Sequence, residues 1–522
     1  MSFFDKNKKT SCFVALFFLI FLIHQCFGYQ LKLIYVFSAF ALFLLLAAVS
    51  KRVYLFLITF FSLVAILYAP VGLNYGFPDI NAVGSLLYTN QNETLEYISG
   101  FPVSTYLTVM GIFALMMFSF RLNVNLSGKN KKWLFFLFFI PAFWSPAKGY
   151  IKSGFENGTE LLNTSLPEVR FFSDAYQSYT KVMSENSRFA KIIKLQDDWQ
   201  PVVKEEKYDT YIMVIGESVR KDFLGAYGFP DKNTPWLDNA NATLLTHYIS
   251  AAPSTQLSLT NSLAIRQSNG INLNNSVVTL ANKAGFETYW LSNQGMKGGF
   301  DSPVAMIGQQ AKHSMFLKEG SSDDRSYMPD ENLLPYIRNA LKNDQHDKKK
   351  KLVVIHLMGS HPQPCARTNN QYGTDFHSKN ISCYVQSIHN TDSLLAEIEN
   401  IANQNQLNWT MLYFADHGLS FVHKGTDNEN LTHGDENQQN YQVPFIITSY
   451  DYSARNKIDA QRSGLHLLPM LSLWLGIEEP RLVSECDWFS NQKCQNQHTV
   501  ISFDGKHMDF NRLNNDAIHF GL

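Results

Sequence analysis

The sequence predicts a membrane domain of five helices followed by an α/β domain built on a largely parallel sheet. Three observations carry this. Five apolar stretches, roughly 11–27, 31–49, 53–72, 101–120 and 133–147, fill the first third of the chain. A bilayer-spanning helix takes about 20 apolar residues, within a range of about 17–25. From Tyr208 onward, strand-like runs alternate with helical patterns, as in a parallel sheet flanked by helices. Two of those runs also end in hard metal ligands: Tyr211–Ile215 stops at Gly216-Glu217-Ser218, and Met411–Phe414 stops at Ala415-Asp416-His417-Gly418.

The expected organisation is a membrane domain over 1–149, a connector over 150–207 and an exported domain over 208–522. The last apolar stretch, Trp133–Ala147, is the weakest span, being short and holding Pro141. Orientation follows from Lys and Arg. Lys6, Lys8 and Lys9 precede the first stretch, Lys51 and Arg52 follow the second, and Arg121, Lys129, Lys131 and Lys132 follow the fourth. The loop Val71–Val103 has no basic residue and the first tight connection has only Lys32. A cytoplasmic amino terminus puts every basic loop on one side, and five spans put everything after about residue 150 outside the cytoplasm. A cleaved signal peptide fits the first stretch poorly, because no small-x-small site follows it.

Cysteine usage agrees. Cys365, Cys383, Cys486 and Cys494 lie in the exported part, an even number that reads as disulfides, paired by proximity as Cys365–Cys383 and Cys486–Cys494. A net charge of -1 gives no sign of a nucleic-acid partner.

Within the connector, Glu168 to Ile193 mixes Phe171, Phe172, Tyr176, Tyr179, Val182 and Phe189 with polar residues at roughly helical spacing. It reads as an amphipathic helix, either on the membrane surface or packed on protein. Strands are expected at Tyr211–Ile215, Glu287–Leu291, Leu352–Leu357, Thr410–Phe414, Val443–Thr448 and Thr499–Phe503, with helices near 255–266, 275–284, 331–342, 384–403 and 465–475.

In open α/β sheets, ligands bind beyond the carboxyl ends of strands. Read in order, those ends deliver Glu217, then Asn293 with Lys297, then His356 and His361, then Asp416 and His417. A further polar cluster holds His433. Carboxylates with imidazoles suit zinc, and the same donor set also admits manganese. His356 sits in an apolar strand and reads as a core histidine; His423 and His466 read as structural. A nucleophile is offered by Ser254-Thr255 at the start of a helical pattern, although an ordinary helix cap is the commoner meaning of such residues.

Gly216-Glu217-Ser218-x-Arg220, Ser254-Thr255-x-x-Ser258, Met358-Gly359-Ser360-His361 and Ala415-Asp416-His417-Gly418, in this order after five apolar spans, resemble the phosphoethanolamine transferases of Gram-negative envelopes. That family includes lipid A modifying and colistin-resistance enzymes. The resemblance covers about 208–480 by motif and implies an alkaline phosphatase/sulfatase-like α/β fold. It implies that Glu217, Thr255, Asp416 and His417 bind the catalytic zinc, with Thr255 as nucleophile. It makes His361 and His433 a second pair that binds phosphate or a further zinc and serves as acid or base. Asn293 and Lys297 would contact the phosphoryl group.

The implied donor is phosphatidylethanolamine, and the acceptor is lipopolysaccharide or another envelope glycan. The implied protein is a monomer of the bacterial inner membrane with a periplasmic catalytic domain. Two departures stand out. His361-Pro-Gln-Pro-Cys365 replaces the usual Gly-Pro after Ser-His, and Ser218 replaces the usual Thr. The first alters the wall beside the site and leaves the acceptor open. Competing readings are a glycerol-phosphate transferase or sulfatase of the same fold, or an inactive envelope scaffold. Pro253-Ser-Thr-Gln-Leu257 lacks the Cys/Ser-x-Pro-x-Arg pattern that sulfatases need.

Overall fold

A computed structural model of the chain describes residues 3–74, 76–88, 101–153, 166–192, 196–204, 207–267, 270–296, 302–319, 328–343, 349–376, 378–483 and 486–518. They form two compact units, the first reaching Ser184 and the second running from Glu185.

The first unit is helical. Its helices are α1 (Phe3–Cys26), α2 (Leu33–Val49), α3 (Lys51–Asn74), α4 (Ile80–Tyr88), α5 (Val103–Ser119), α6 (Gly128–Ser153) and α7 (Pro167–Ile192), whose last turns group with the second unit. Each of the five apolar stretches falls on one helix. Leu16, Leu19 and Ile23 of α1 pack with Val36, Phe43, Tyr54, Ile58 and Ile112 in an apolar interior. The outer faces are apolar too: Leu67 is 80% exposed, Phe56 69% and Met110 66%. Apolar surface on that scale suits lipid, not water. Among the described residues α3 is long and apolar enough to cross a membrane; Thr10–Cys26, Leu33–Val49 and Val103–Ser119 are shorter apolar segments. Helix α4 lies in a segment the sequence presents as a loop; Asp79 starts it by accepting a hydrogen bond from the Ala82 N–H (2.7 Å).

The second unit is built on an eight-stranded sheet. Its strands are β1 (Thr210–Gly216), β2 (Ala242–Leu245), β3 (Glu287–Met296), β4 (His313–Glu319), β5 (Lys351–His356), β6 (Trp409–Ala415), β7 (Phe445–Ser449) and β8 (Asn456–Ile458), in the order β8-β2-β7-β6-β1-β5-β3-β4. Only β7 runs antiparallel to its neighbours. The central strands β1 and β6 are buried at every position, which is why they read as unbroken apolar runs. Helices α8 (Thr255–Leu263), α9 (Val277–Lys283), α10 (Leu334–Ala340), α11 (Lys379–Gln404) and α12 (Leu467–Trp474) follow the expected pattern. Helix α11 starts five residues earlier than expected, at the cap Ser378, whose Oγ accepts from the Ile381 N–H. The expected strand at Thr499–Phe503 forms only over Thr499–Ile501 and pairs with His507–Asp509, outside the main sheet. Strands β2, β4 and β8 were not expected; β2 and β8 hold four and three residues, too few to show a period.

Both expected disulfides form. Cys365–Cys383 (Cα–Cα 4.9 Å) ties the segment after His361 to α11, and Cys486–Cys494 closes a shorter loop. The bond at Cys365 closes an 18-residue separation. Replacing both of its cysteines by Ala is expected to destabilise the domain by about 3 kcal/mol, through the freed unfolded chain. Denaturant melts of the two proteins under oxidising conditions measure this; equal midpoints would deny the bond a stabilising role.

Candidate active site

Strands β1 and β6 are parallel and in step, with Gly216 opposite Ala415. The next residues, Glu217 and Asp416, therefore leave the sheet side by side, and the Asp416 N–H donates to the Gly216 carbonyl (3.0 Å). Ser218 adopts a left-handed conformation (φ 59°), and its N–H donates to Asp416 Oδ1 (3.0 Å). Across the site Gly359 (φ 48°) passes so close that a Cβ would stand 3.0 Å from the Glu217 backbone, so any side chain there would be strained.

Four groups converge. Glu217, Asp416 and His417 are fully buried. Thr255, first residue of α8 behind the cap position Ser254, places Oγ1 2.9 Å from Glu217 Oε2 and 3.4 Å from His417 Nε2. His417 Nδ1 meets the Gly418 carbonyl at 2.9 Å. That contact engages the Nδ1 proton, so Nε2 is the nitrogen that serves a cation once its own proton is displaced. Nε2 lies 3.3 Å from Glu217 Oε1 and 3.6 Å from Asp416 Oδ2. Asp416 Oδ1 accepts two backbone N–H groups, whereas Oδ2 is buried with no hydrogen-bond partner among the described residues. An orphaned carboxylate oxygen beside an imidazole and a second carboxylate fits a divalent cation of the zinc or manganese type. His433 joins them: ligand atoms of Glu217, His417 and His433 all lie within 4.8 Å of one another. The His361 ring is 6.0 Å from that of His433.

The charges are strongly coupled. Burial alone would raise the Glu217 pKa, but the neighbouring His417 holds it well below the usual range. Burial and the Glu217 charge push Asp416 up to about 8. His417 rises to about 9, its carboxylate neighbours outweighing burial. Burial, then His417 and His361, lower His433 to about 3. Protons thus occupy the ligand cluster where a cation would otherwise balance the charge.

Residues 209–477 match the sulfatase family. The chain is 35% identical to phosphoethanolamine transferase OpgE of Escherichia coli K12, over 98% of this chain and 97% of that protein. This chain belongs to the phosphoethanolamine transferases. The fold of this transferase resembles the integral membrane phosphoethanolamine transferase EptA of Neisseria meningitidis (TM-score 0.58, 14% identity, 93% of this chain and 97% of that one). It also resembles the periplasmic domain of Escherichia coli EptC in complex with zinc (TM-score 0.51, 19% identity, 60% of this chain and 96% of that one). An α-helical amino-terminal region thus precedes an alkaline phosphatase/sulfatase-like domain.

Not every expected site residue reaches the transferase's Thr255 cluster. The Asn293 amide donates to the Met328 carbonyl (3.0 Å) and to Asp330 Oδ1 (2.8 Å). Its neighbour Gln294 instead places Nε2 2.8 Å from Glu217 Oε2. Pairing is irregular between Ser292 and Gly295, so alternation fails there and the sequence gives no sign of which side chain faces Glu217. Lys297 lies outside the described residues. Asp330, not foreseen, accepts the Met358 and Gly359 N–H groups (both 2.8 Å) and so braces the turn leading to His361. Arg220 of the first motif is buried, paired with Asp222 and Asp516 and stacked over Phe421. It braces the domain from outside the ligand cluster.

His356 is a core histidine. Its Nδ1 lies 3.3 Å from Ser292 Oγ and its Nε2 is buried with no hydrogen-bond partner among the described residues. Burial lowers its pKa to about 4. The unfolded chain takes up that proton near pH 6.5 and the folded chain does not, so acid favours unfolding. The transferase is expected to lose ~1.4 kcal/mol per pH unit from this group as pH falls from about 6.5 to 4. His356→Met should flatten that limb of a stability–pH curve, and an unchanged slope would assign the acid sensitivity elsewhere.

Proposed function

We propose that this transferase moves phosphoethanolamine from phosphatidylethanolamine to a hydroxyl or phosphate of an envelope glycolipid or glycan, lipopolysaccharide first among them. A covalent ester on Thr255 is the intermediate. The observation that carries this reading is the Thr255 hydroxyl, set 2.9 Å from Glu217 and 3.4 Å from His417 in a buried ligand cluster.

Glu217, Thr255, Asp416 and His417 would hold zinc, or manganese, and such a cation supplies Lewis acidity toward a hydroxyl and offsets phosphoryl charge. The zinc complex of the EptC domain supports that choice. Glu217 Oε2 orients the Thr255 hydroxyl, and Gln294 in turn orients Glu217. Thr255 Oγ1 attacks phosphorus; the new O–P bond forms as the bond to diacylglycerol breaks. The proton that leaves Thr255 balances the one that diacylglycerol takes up, with His361 and His433 as its carriers. The acceptor oxygen then attacks the same phosphorus, its proton passes to this histidine pair, and Thr255 regains its own. Lys297 and Asn293 are assigned to the phosphoryl oxygens, the Asn293 amide reaching them by leaving Met328 and Asp330.

Residues 1–149 are assigned to five inner-membrane spans, 150–207 to the connector and 208–522 to the periplasm. The apolar outer faces of the helices and the two disulfides of the second unit support this placement. Tethering keeps the site near its lipid donor.

The test compares envelope glycolipids and glycans by mass spectrometry from cells carrying the wild type or Thr255→Ala. One component is expected to lose phosphoethanolamine in the variant. If none does, the transfer reaction proposed for Thr255 is wrong.

A further inference from the structure

In the first unit, the end of α1, the turn after it and the first turn of α7 enclose a cavity of about 110 Å³. His24, Tyr29, Lys32, Tyr35, Pro167 and Arg170 line it. A bound water needs only about 10–15 Å³ on this measure, so a larger group fits. One lining residue, His24, is backed by a buried carboxylate: its Nε2 meets Glu168 Oε1 at 2.8 Å, with the side chains 2% and 4% exposed. Glu168 stands in the first turn of α7, where the helix dipole favours a carboxylate. In the tautomer that donates Nε2–H to Glu168, Nδ1 of His24 carries a lone pair, and it is buried with no hydrogen-bond partner among the described residues. A buried acceptor left unmatched costs free energy, and a ligand that donates to it recovers that loss.

The outer edge has the opposite character. Lys32 is exposed, and the Arg170 side chain is 42% exposed. Arg170 Nε pairs with Asp174 (3.2 Å), and its guanidinium stacks 4.5 Å from the Tyr29 ring centroid. Tyr29 Oη donates to the same Asp174 oxygen (2.8 Å), which fixes the stack. The cavity thus has an acceptor floor backed by a carboxylate and a cationic rim.

We propose that this cavity binds the headgroup of phosphatidylethanolamine, with the ammonium on His24 Nδ1 and the phosphate at Lys32 and Arg170. A primary ammonium carries N–H donors for the orphaned nitrogen and a positive charge for the Glu168 carboxylate behind it. A trimethylammonium has no such donor, and a glycerol headgroup has no such charge. In the topology proposed above the cavity opens at the non-cytoplasmic end of the first helical hairpin, at headgroup level. The inference rests on that membrane reading. It adds a lipid site made wholly of the helical unit, separate from Thr255.

The test uses full-length protein in detergent micelles doped with dioleoyl phosphatidylethanolamine, phosphatidylcholine or phosphatidylglycerol, with retained lipid counted by native mass spectrometry. Phosphatidylethanolamine is expected to be retained about tenfold better than the other two. Glu168→Gln and His24→Asn should each remove that preference, while Arg170→Gln weakens all three lipids alike. Thr255→Ala should bind lipid as the wild type does. If Thr255→Ala also leaves turnover intact, the proposed transfer mechanism fails and the lipid site stands. Equal retention of the three lipids by the wild type would overturn the site, a result that stands even if the variants misfold. A Glu168→Gln protein that folds and keeps the full preference would overturn it too, leaving water as the occupant.

Discussion

Thr255→Ala is expected to lose phosphoethanolamine transfer by about 10⁴-fold or more, the scale seen when a covalent nucleophile is removed. The fold should not notice. Thr255 opens α8, and its removal takes one donor from the buried Glu217 Oε2, which keeps the Gln294 amide as a second. Thr255→Ser keeps the oxygen and deletes one methyl, and should keep activity within about tenfold of wild type, since positioning alone is loosened. Release of diacylglycerol from a fluorescent phosphatidylethanolamine separates the three proteins. Intact mass adds an independent reading: wild type given donor without acceptor should gain one phosphoethanolamine, and Thr255→Ala should gain none. An Ala variant within tenfold of wild type would remove Thr255 from the chemistry.

What the sequence shows and hides at this site has a physical cause. Glu217 and Asp416-His417 are legible because β1 and β6 are buried on both faces, so each reads as an apolar run that stops abruptly at a polar residue. Their convergence needs only that the two strands run parallel and in step, which they do. Gln294 is hidden because β3 is irregular where it leaves the sheet, and a two-residue period says nothing there. Asp330 is hidden for a different reason. It acts through the backbone N–H groups of Met358 and Gly359, and bonds to backbone leave no mark on the partner's sequence. Arg220 shows the converse, a motif residue whose partners Asp222 and Asp516 make it a brace. Helix α4 is hidden in a loop because its nine residues are too few to span a bilayer and carry one cap signal, Asp79.

Asp416→Asn separates metal binding from folding more sharply than any other change at the site. Oδ1 of Asp416 accepts the Ser218 and His417 N–H groups, and an Asn Oδ1 in the same place accepts both. Oδ2 has no hydrogen-bond partner among the described residues, and an amide NH₂ there presents donors where a cation needs an electron pair. Zinc affinity is therefore expected to fall by at least about 100-fold, the upper end of what even a supporting contact contributes. Activity should fall with it. Stability without metal should move the other way. Burial and the charge on Glu217 hold the Asp416 pKa at about 8 in the folded protein, far above an unfolded Asp near 3.9. Between those values the folded state keeps a proton that the unfolded state has released, so metal-free wild type loses stability as pH rises from about 4 to about 8. The Asn variant has no such carboxyl to titrate. Metal-free melts should therefore show Asp416→Asn level with wild type near pH 4 and the more stable of the two at pH 8, with zinc reversing the order by stabilising wild type alone. A variant that retains full zinc, or that melts below metal-free wild type at pH 8, would show that Asp416 Oδ2 is not where the cation binds.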